Sequence, residues 1–228
     1  VTSGIDIRHV TFAVGEHGTT SGMLTVPSGT MKSLGIVLAH GAGNDMTHAL
    51  MAAFSNGLAA AGYPVLRFNF LYAEHKRKAP DKEPLLVAAW TAADRFFREG
   101  AGLTATRVAA AGKSMGGRIA SQMIADGQLR AERLIFLGYP LHRSGDPSRL
   151  RDTHLYRLDV PMLFIEGTRD PLCDRHALDG VLSRLKAPHD LFVVDRGDHS
   201  FHVPKSAGLS DTDVYARIVE KSSAWLSA

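Results

Sequence analysis

The feature that most constrains the fold is an alternation of two kinds of apolar segment. Short runs at 36–39, 64–70, 108–111, 134–137, 161–165 and 191–194 are apolar almost throughout. Between them, apolar residues recur every third or fourth position. Leu50, Phe54 and Leu58 form one such stripe, closed by Gly62 as a stop signal. Leu86, Trp90, Ala93 and Phe97 form a second, Ile119 and Met123 a third, Leu178, Val181, Leu182 and Leu185 a fourth, and Val214, Ile218 and Trp225 the last. The stripes have helical period, and the short runs have the look of strands covered on both faces. Strands alternating with helices predict βαβ units around a mostly parallel, twisted sheet with helices on both sides, an α/β architecture. Residues 5–14 and 19–26 differ, reading as two strands with no helix between them, so they are expected to pair antiparallel at one edge. That makes about eight strands. No repeat, low-complexity tract or linker interrupts the chain, and 1–228 is read as a single domain.

Bulk properties narrow the function classes. The 228 residues are 45% hydrophobic and 21% charged, an ordinary mixture for a chain with a substantial core. A net charge of +3, spread along the sequence, gives no reason to expect a nucleic-acid partner. The densest basic run, His75-Lys76-Arg77-Lys78, lies between Glu74 and Asp81 and reads as a solvated loop. Cys173 is the one cysteine, which excludes an intrachain disulfide and a metal–thiolate cluster. No apolar run approaches the ~20 residues of a membrane span, so no membrane partner is expected. Val1-Thr2-Ser3-Gly4 lacks the basic and apolar regions of a signal peptide, and a cytoplasmic location is the default expectation. The missing initiator Met leaves room for a removed leader.

The richest motif is Gly112-Lys113-Ser114-Met115-Gly116, followed by Gly117. A predicted strand at 107–111 enters it and a predicted helix running to Ala125 leaves it. This G-x-S-x-G string sits where a nucleophile elbow requires it, on a strained strand-to-helix turn that lifts the serine hydroxyl clear of the backbone. Gly112 and Gly116 are expected where a side chain would strike the neighbouring strand and helix. Met115 would contribute its N–H, not its side chain, to an oxyanion hole, and the helix N-terminus favours developing negative charge.

With these residues the chain resembles the α/β-hydrolase superfamily. The resemblance implies a triad in the order serine, acid, histidine. After the strand at 161–165 comes Glu166-Gly167-Thr168-Arg169-Asp170-Pro171, which puts Asp170 just past a strand's carboxyl end. After the next strand comes Asp195-Arg196-Gly197-Asp198-His199-Ser200-Phe201, and His199 matches the family's histidine. Asp174, Asp198 and His202 are the competing positions; Asp174 is better placed to start the following helix, and Asp198 adjoins His199 in sequence. The turn His40-Gly41-Ala42-Gly43 looks like the family's His-Gly turn, which makes Ala42 the second oxyanion donor beside Met115.

Between Tyr139-Pro140 and Pro161 the connection is short and polar, so no cap domain is expected. The site should be open and suited to small or flexible soluble substrates, with Tyr72, Tyr139 and His142 as candidates to face them. The elbow, Leu137-Gly138-Tyr139-Pro140-Leu141-His142 and Gly167-Thr168-Arg169-Asp170-Pro171 are similar to a capless, dienelactone-hydrolase-like group. That group includes a testis-expressed hydrolase and the hydrolase-like subunit of a chromatin acetyltransferase complex. The similarity runs from about Leu34 to the C-terminus. Dienelactone hydrolases proper carry cysteine at the elbow, so their substrate is not carried over.

The resemblance implies a carboxylesterase-like serine hydrolase acting on a small-molecule ester, with neither metal nor organic cofactor. Because the histidine must be neutral to act as base, turnover is expected to rise with pH across the imidazole range. The alternatives are a non-catalytic binding module that has kept the fold, and the same triad used for thioester or peptide cleavage or acyl transfer. Oligomeric state is not legible.

Overall fold

The computed structural model describes residues 4–105 and 107–228. Residues 1–3, on which the reading of the N-terminus partly rests, lie outside them.

Eight strands form one sheet: β1 (Ile5–Ala13), β2 (Thr19–Pro27), β3 (Leu34–Ala39), β4 (Val65–Phe68), β5 (Arg107–Lys113), β6 (Arg133–Leu137), β7 (Met162–Gly167) and β8 (His189–Val194). Their spatial order is β1-β2-β4-β3-β5-β6-β7-β8. Strands β3 to β8 run parallel, while β2 is antiparallel to both β1 and β4, which gives the expected edge hairpin. The helices are α1 (Ala49–Ala60), α2 (Leu71–Glu74), α3 (Glu83–Arg95), α4 (Met115–Ala125), α5 (Arg175–Leu182) and α6 (Asp211–Ser227).

The period of two along each strand sends successive side chains to opposite faces, and each face has its own core. Ile36, Leu38, Ala109, Ile135 and Leu163 meet Leu50, Phe54 and Leu58 of α1 and Val214, Ile218 and Trp225 of α6. Val37, Phe68, Ala110, Phe136 and Phe164 meet Trp90 of α3, Ile119 of α4 and Leu178 of α5. Every helical stripe read from the sequence is thus an inward face. Among the described residues no helix is long and apolar enough to cross a membrane. The basic run His75–Lys78 is exposed, and Arg77 is paired with Asp81.

Chain order and spatial order part company at β3. From there the chain steps outward to β4 and then returns across β3 to β5, so the connections leave in opposite directions between β3 and β5. Open α/β sheets form a crevice at the carboxyl ends of such a pair. Here those ends are Ala39 and Lys113, and Ala39 lies in register with Gly112.

Two boundaries differ from expectation. The run 64–70 is a strand only over Val65–Phe68, because the N–H of Phe70 donates to His40 Nε2 at 3.0 Å instead of continuing the ladder. At the other end, β8 begins earlier, at His189. Between β6 and β7 the described residues hold an isolated bridge, Arg143 to Asp146, and a single 3-10 turn, Leu155–Arg157, and no cap domain.

Candidate active site

Ser114 sits between β5 and α4 with φ 51° and ψ −115°, a backbone conformation that a non-glycine residue rarely adopts. Strain of this kind costs on the order of 1–3 kcal/mol and persists only where the surroundings enforce it. The enforcement is visible. A Cβ on Gly112 would lie 2.2 Å from the Gly117 nitrogen, and one on Gly116 would lie 2.6 Å from the carbonyl oxygens of both Ala39 and His40. Helix α4 therefore presses on β5 and on the end of β3 closer than any side chain permits. Trp90 of α3 braces the same turn, its Nε1–H donating to Gly116 O at 3.2 Å.

The His199 ring lies over this serine. Ser114 Oγ and His199 Nε2 are 2.8 Å apart, and His199 Nδ1 is 2.6 Å from Asp170 Oδ2. A carboxylate only accepts, so Nδ1 carries the proton toward Asp170 and Nε2 is left to accept from the serine hydroxyl. The Asp170 side chain is fully buried, and its other oxygen accepts the N–H of Leu172 at 2.7 Å. The loops carrying acid and histidine are tied together: Arg169 N donates to Gly197 O at 2.8 Å and Thr168 N to Val194 O at 3.1 Å. Gly167 allows this, since a Cβ there would stand 2.2 Å from Gly197 O.

The competing positions are occupied elsewhere. Asp174 caps α5 by accepting from Ala177 N at 2.8 Å, as its sequence position suggested. Asp198 accepts from Ser200 N and His202 N within its own turn, and His202 pairs with Asp211 on the surface. A second serine–histidine contact, Ser121 Oγ to His154 Nε2 at 2.8 Å, is buried away from the crevice. There the serine already donates to Arg118 O, so the imidazole nitrogen must be the donor and has no capacity to act as that serine's base.

Ala42 and Met115 line one cleft together with Ser114, Pro140 and Leu172, a space of about 460 Å³. Among the described residues, neither the Ala42 nor the Met115 N–H donates to a protein acceptor. The turn that presents Ala42 is shaped from below by His40. With Nε2 accepting from Phe70, its Nδ1–H donates to Gly41 O at 2.9 Å. Burial pushes this imidazole down to about 4, so it stays neutral.

Tyr72, Tyr139 and His142 do not face the cleft, which corrects the expectation that they meet substrate. All three are buried and hydrogen-bonded within the protein. The Tyr72 hydroxyl donates to Gly41 O at 3.0 Å and that of Tyr139 to Arg151 O at 2.6 Å, while His142 Nε2 accepts from Asp174 N at 2.8 Å. Burial raises the Tyr72 phenol to about 12 and moves Tyr139 in the same direction, so both remain neutral donors.

Two groups near the site were not anticipated. Lys113, the residue before the serine, is buried, and its Nζ has no hydrogen-bond partner among the described residues; burial pulls it down to about 8 against the nearby Asp170, Glu166 and Asp198. Glu166, also buried, accepts from Tyr139 N through one oxygen, and the other has no hydrogen-bond partner among the described residues; burial raises it well above the carboxylate range. The cleft wall also carries Arg118, Arg143 and Arg151. No local sequence pattern announced any of these.

Comparison with solved structures finds the same fold widely. A dienelactone hydrolase from Anabaena variabilis superposes with a TM-score of 0.73 at 20% identity, covering 97% of this chain and 96% of that one. XC6422 from Xanthomonas campestris, described as an a/b serine hydrolase without lid, gives 0.69 at 20% identity over 86% and 87% of the two chains. The esterase domain of a Rhodothermus marinus protein gives 0.71 at 18% identity, covering 96% and 97%. Residues 32–227 match the family of the alpha/beta hydrolase domain, and the chain belongs to that family.

Proposed function

We propose that this chain is a serine hydrolase of small, soluble carboxylic esters, with Ser114 as nucleophile, His199 as general base and Asp170 as the group that orients His199. The reading is carried by one observation: a hydroxyl, an imidazole and a buried carboxylate, remote in sequence, joined by contacts of 2.8 and 2.6 Å at the mouth of a cleft. As Ser114 Oγ attacks the acyl carbon, His199 Nε2 takes its proton, and Asp170 stabilises the resulting imidazolium. The negative charge forming on the carbonyl oxygen is met by the free N–H groups of Ala42 and Met115. His199 then protonates the departing alcohol, and water, deprotonated by the same nitrogen, cleaves the acyl-enzyme. The open connection between β6 and β7 favours small substrates over long acyl chains.

The test uses a fluorophosphonate and p-nitrophenyl acetate. Ser114 is expected to form the covalent adduct, Ser114→Ala to lose it along with turnover, and Asp170→Asn to lose about 10³-fold or more in kcat. No adduct on folded native protein would favour the non-catalytic binding module. An adduct with thioesters cleaved in preference to esters would keep the triad and change the substrate.

A further inference from the structure

The cleft over Ser114 carries an unbalanced positive charge. Five charged residues line it: Arg118, Arg143, Arg151, Asp81 and Glu83. Asp81 is already committed, with Oδ1 accepting from Arg77 at 2.6 Å and Oδ2 from Tyr72 N at 2.8 Å. Several surface arginines elsewhere are matched with carboxylates, as in Arg98 with Asp94, Arg107 with Glu132, Arg157 with Asp126 and Arg175 with Asp179, although others such as Arg130 and Arg217 have no such partner among the described residues. None of the three cleft arginines pairs with a carboxylate among the described residues. Arg118 donates to Gln122 Oε1 at 2.8 Å and Arg151 to Pro140 O at 3.3 Å, both neutral acceptors, which leaves most of their donors free.

The three converge because of how they are mounted. Arg118 stands four residues after Ser114 on α4, about 6 Å of helix rise away, on the same face. Arg143 and Arg151 lie on the segment that turns back from Pro140, closed by Arg151 N donating to Leu141 O at 2.7 Å and by the Tyr139 hydroxyl on Arg151 O. Arg151 is half-buried, and its guanidinium is lowered by that burial first and then by the charges of Arg118 and Arg143. Like charges gathered this way repel one another, and a planar or tetrahedral oxyanion between them relieves the repulsion through bidentate hydrogen bonds.

We propose that the preferred substrates are esters bearing an anionic group, a carboxylate or a phosphate, a few bonds from the scissile carbonyl, held by Arg118, Arg143 and Arg151. This rests on the hydrolase reading above and adds the chemical class of what enters the cleft.

Two matched pairs of esters test it: p-nitrophenyl monoadipate against its methyl ester, with the charge on the acyl side, and 4-acetoxybenzoate against its methyl ester, with the charge on the leaving group. In at least one pair kcat/KM for the anion is expected to exceed the neutral ester by about tenfold, mainly through KM, and the advantage should shrink as salt is added. In Arg143→Gln, an exposed position where folding is not at stake, and in Arg151→Gln, the ratio should fall towards one. Ratios of one or less in both pairs, with the esters still cleaved, overturn the anion site and leave the hydrolase standing. If no ester is cleaved, calorimetry on folded Ser114→Ala protein with adipate and with glycerol 3-phosphate decides separately. Salt-sensitive binding of either that is lost in Arg151→Gln supports the site and identifies the anion; no binding of either overturns it.

Discussion

Beneath Ser114 the backbone approaches itself at separations that admit no side chain, whereas the segment between Leu141 and Arg151 is largely exposed and closed by two hydrogen bonds of the Arg151 backbone. The two regions face the same cleft, yet different forces shape them. The floor is set by backbone geometry, with Gly116 against the ends of β3 and a strained serine that the packing cannot release. The rim is set by side chains. A floor of that kind should be intolerant of substitution, and a rim of that kind should be free to vary in charge and length, which under the proposed hydrolase function would put the chemistry in one and substrate choice in the other.

The largest effect that would break this contrast concerns Gly116. Its added Cβ would meet two carbonyl oxygens at 2.6 Å, and carbonyls at the end of a central strand have nowhere to go. Gly116→Ala is expected to cost about 3 kcal/mol or more in a urea titration and to abolish fluorophosphonate labelling of Ser114. Arg143→Gln on the rim should stay within about 0.5 kcal/mol of the native stability. Comparable losses at both positions would show that floor and rim are not mechanically distinct.

A middle-sized effect compares two histidines, His40 under the floor and His154 under the rim, both pushed down to about 4 by burial. An unfolded chain holds histidine near 6.5, so between roughly pH 4 and 6.5 the unfolded state binds more protons than the native one. Stability contributed by the neutral native rings is therefore fully present above pH 6.5 and is lost as pH falls through 4. For each ring this amounts to about 2 kcal/mol between pH 7 and 4.5. His154→Gln should narrow the difference in unfolding free energy between those two pH values by that order, whatever it does to stability at pH 7. An unchanged difference would mean that the ring under the rim is already charged or not held by burial.

The floor was legible from the sequence because its causes are local. A glycine on either side of a serine, between a strand pattern and a helix pattern, specifies the turn, and the strand ends that carry Asp170 and His199 follow from the alternation of elements. What was not legible depends on remote partners. Asn69 and Phe70 continue a strand pattern, but the Phe70 N–H is captured by His40, thirty residues earlier in the chain. Lys113 reads as a charged loop residue, and nothing near it in the sequence signals burial beside Glu166 and Asp170. Tyr72, Tyr139 and His142 follow strands or turns in a way that looks the same whether a ring points into a cleft or into the core. The buried acceptors and donors that decide the matter, Gly41 O, Arg151 O and Asp174 N, lie elsewhere in the chain. Arg118, Arg143 and Arg151 share no motif and come together only through the return of the chain from Pro140.

Tyr139 sharpens the comparison at its smallest scale, because it belongs to the interior but secures the rim. Its hydroxyl donates to Arg151 O at 2.6 Å, and that carbonyl lies in the residue whose N–H closes the 141–151 segment. Tyr139→Phe keeps the ring packed against Phe136 and Phe164 and removes only the hydroxyl, with its donation to Arg151 O and its longer contact to His154 Nε2 at 3.3 Å. The expected loss is about 1 kcal/mol of stability, the net worth of one such bond, with faster proteolytic cleavage between Leu141 and Arg151. A tyrosine facing substrate would behave in the opposite way, altering KM for a neutral ester while leaving stability and cleavage untouched. The two outcomes separate a hydroxyl that anchors an arginine-bearing loop from one that touches what the loop receives.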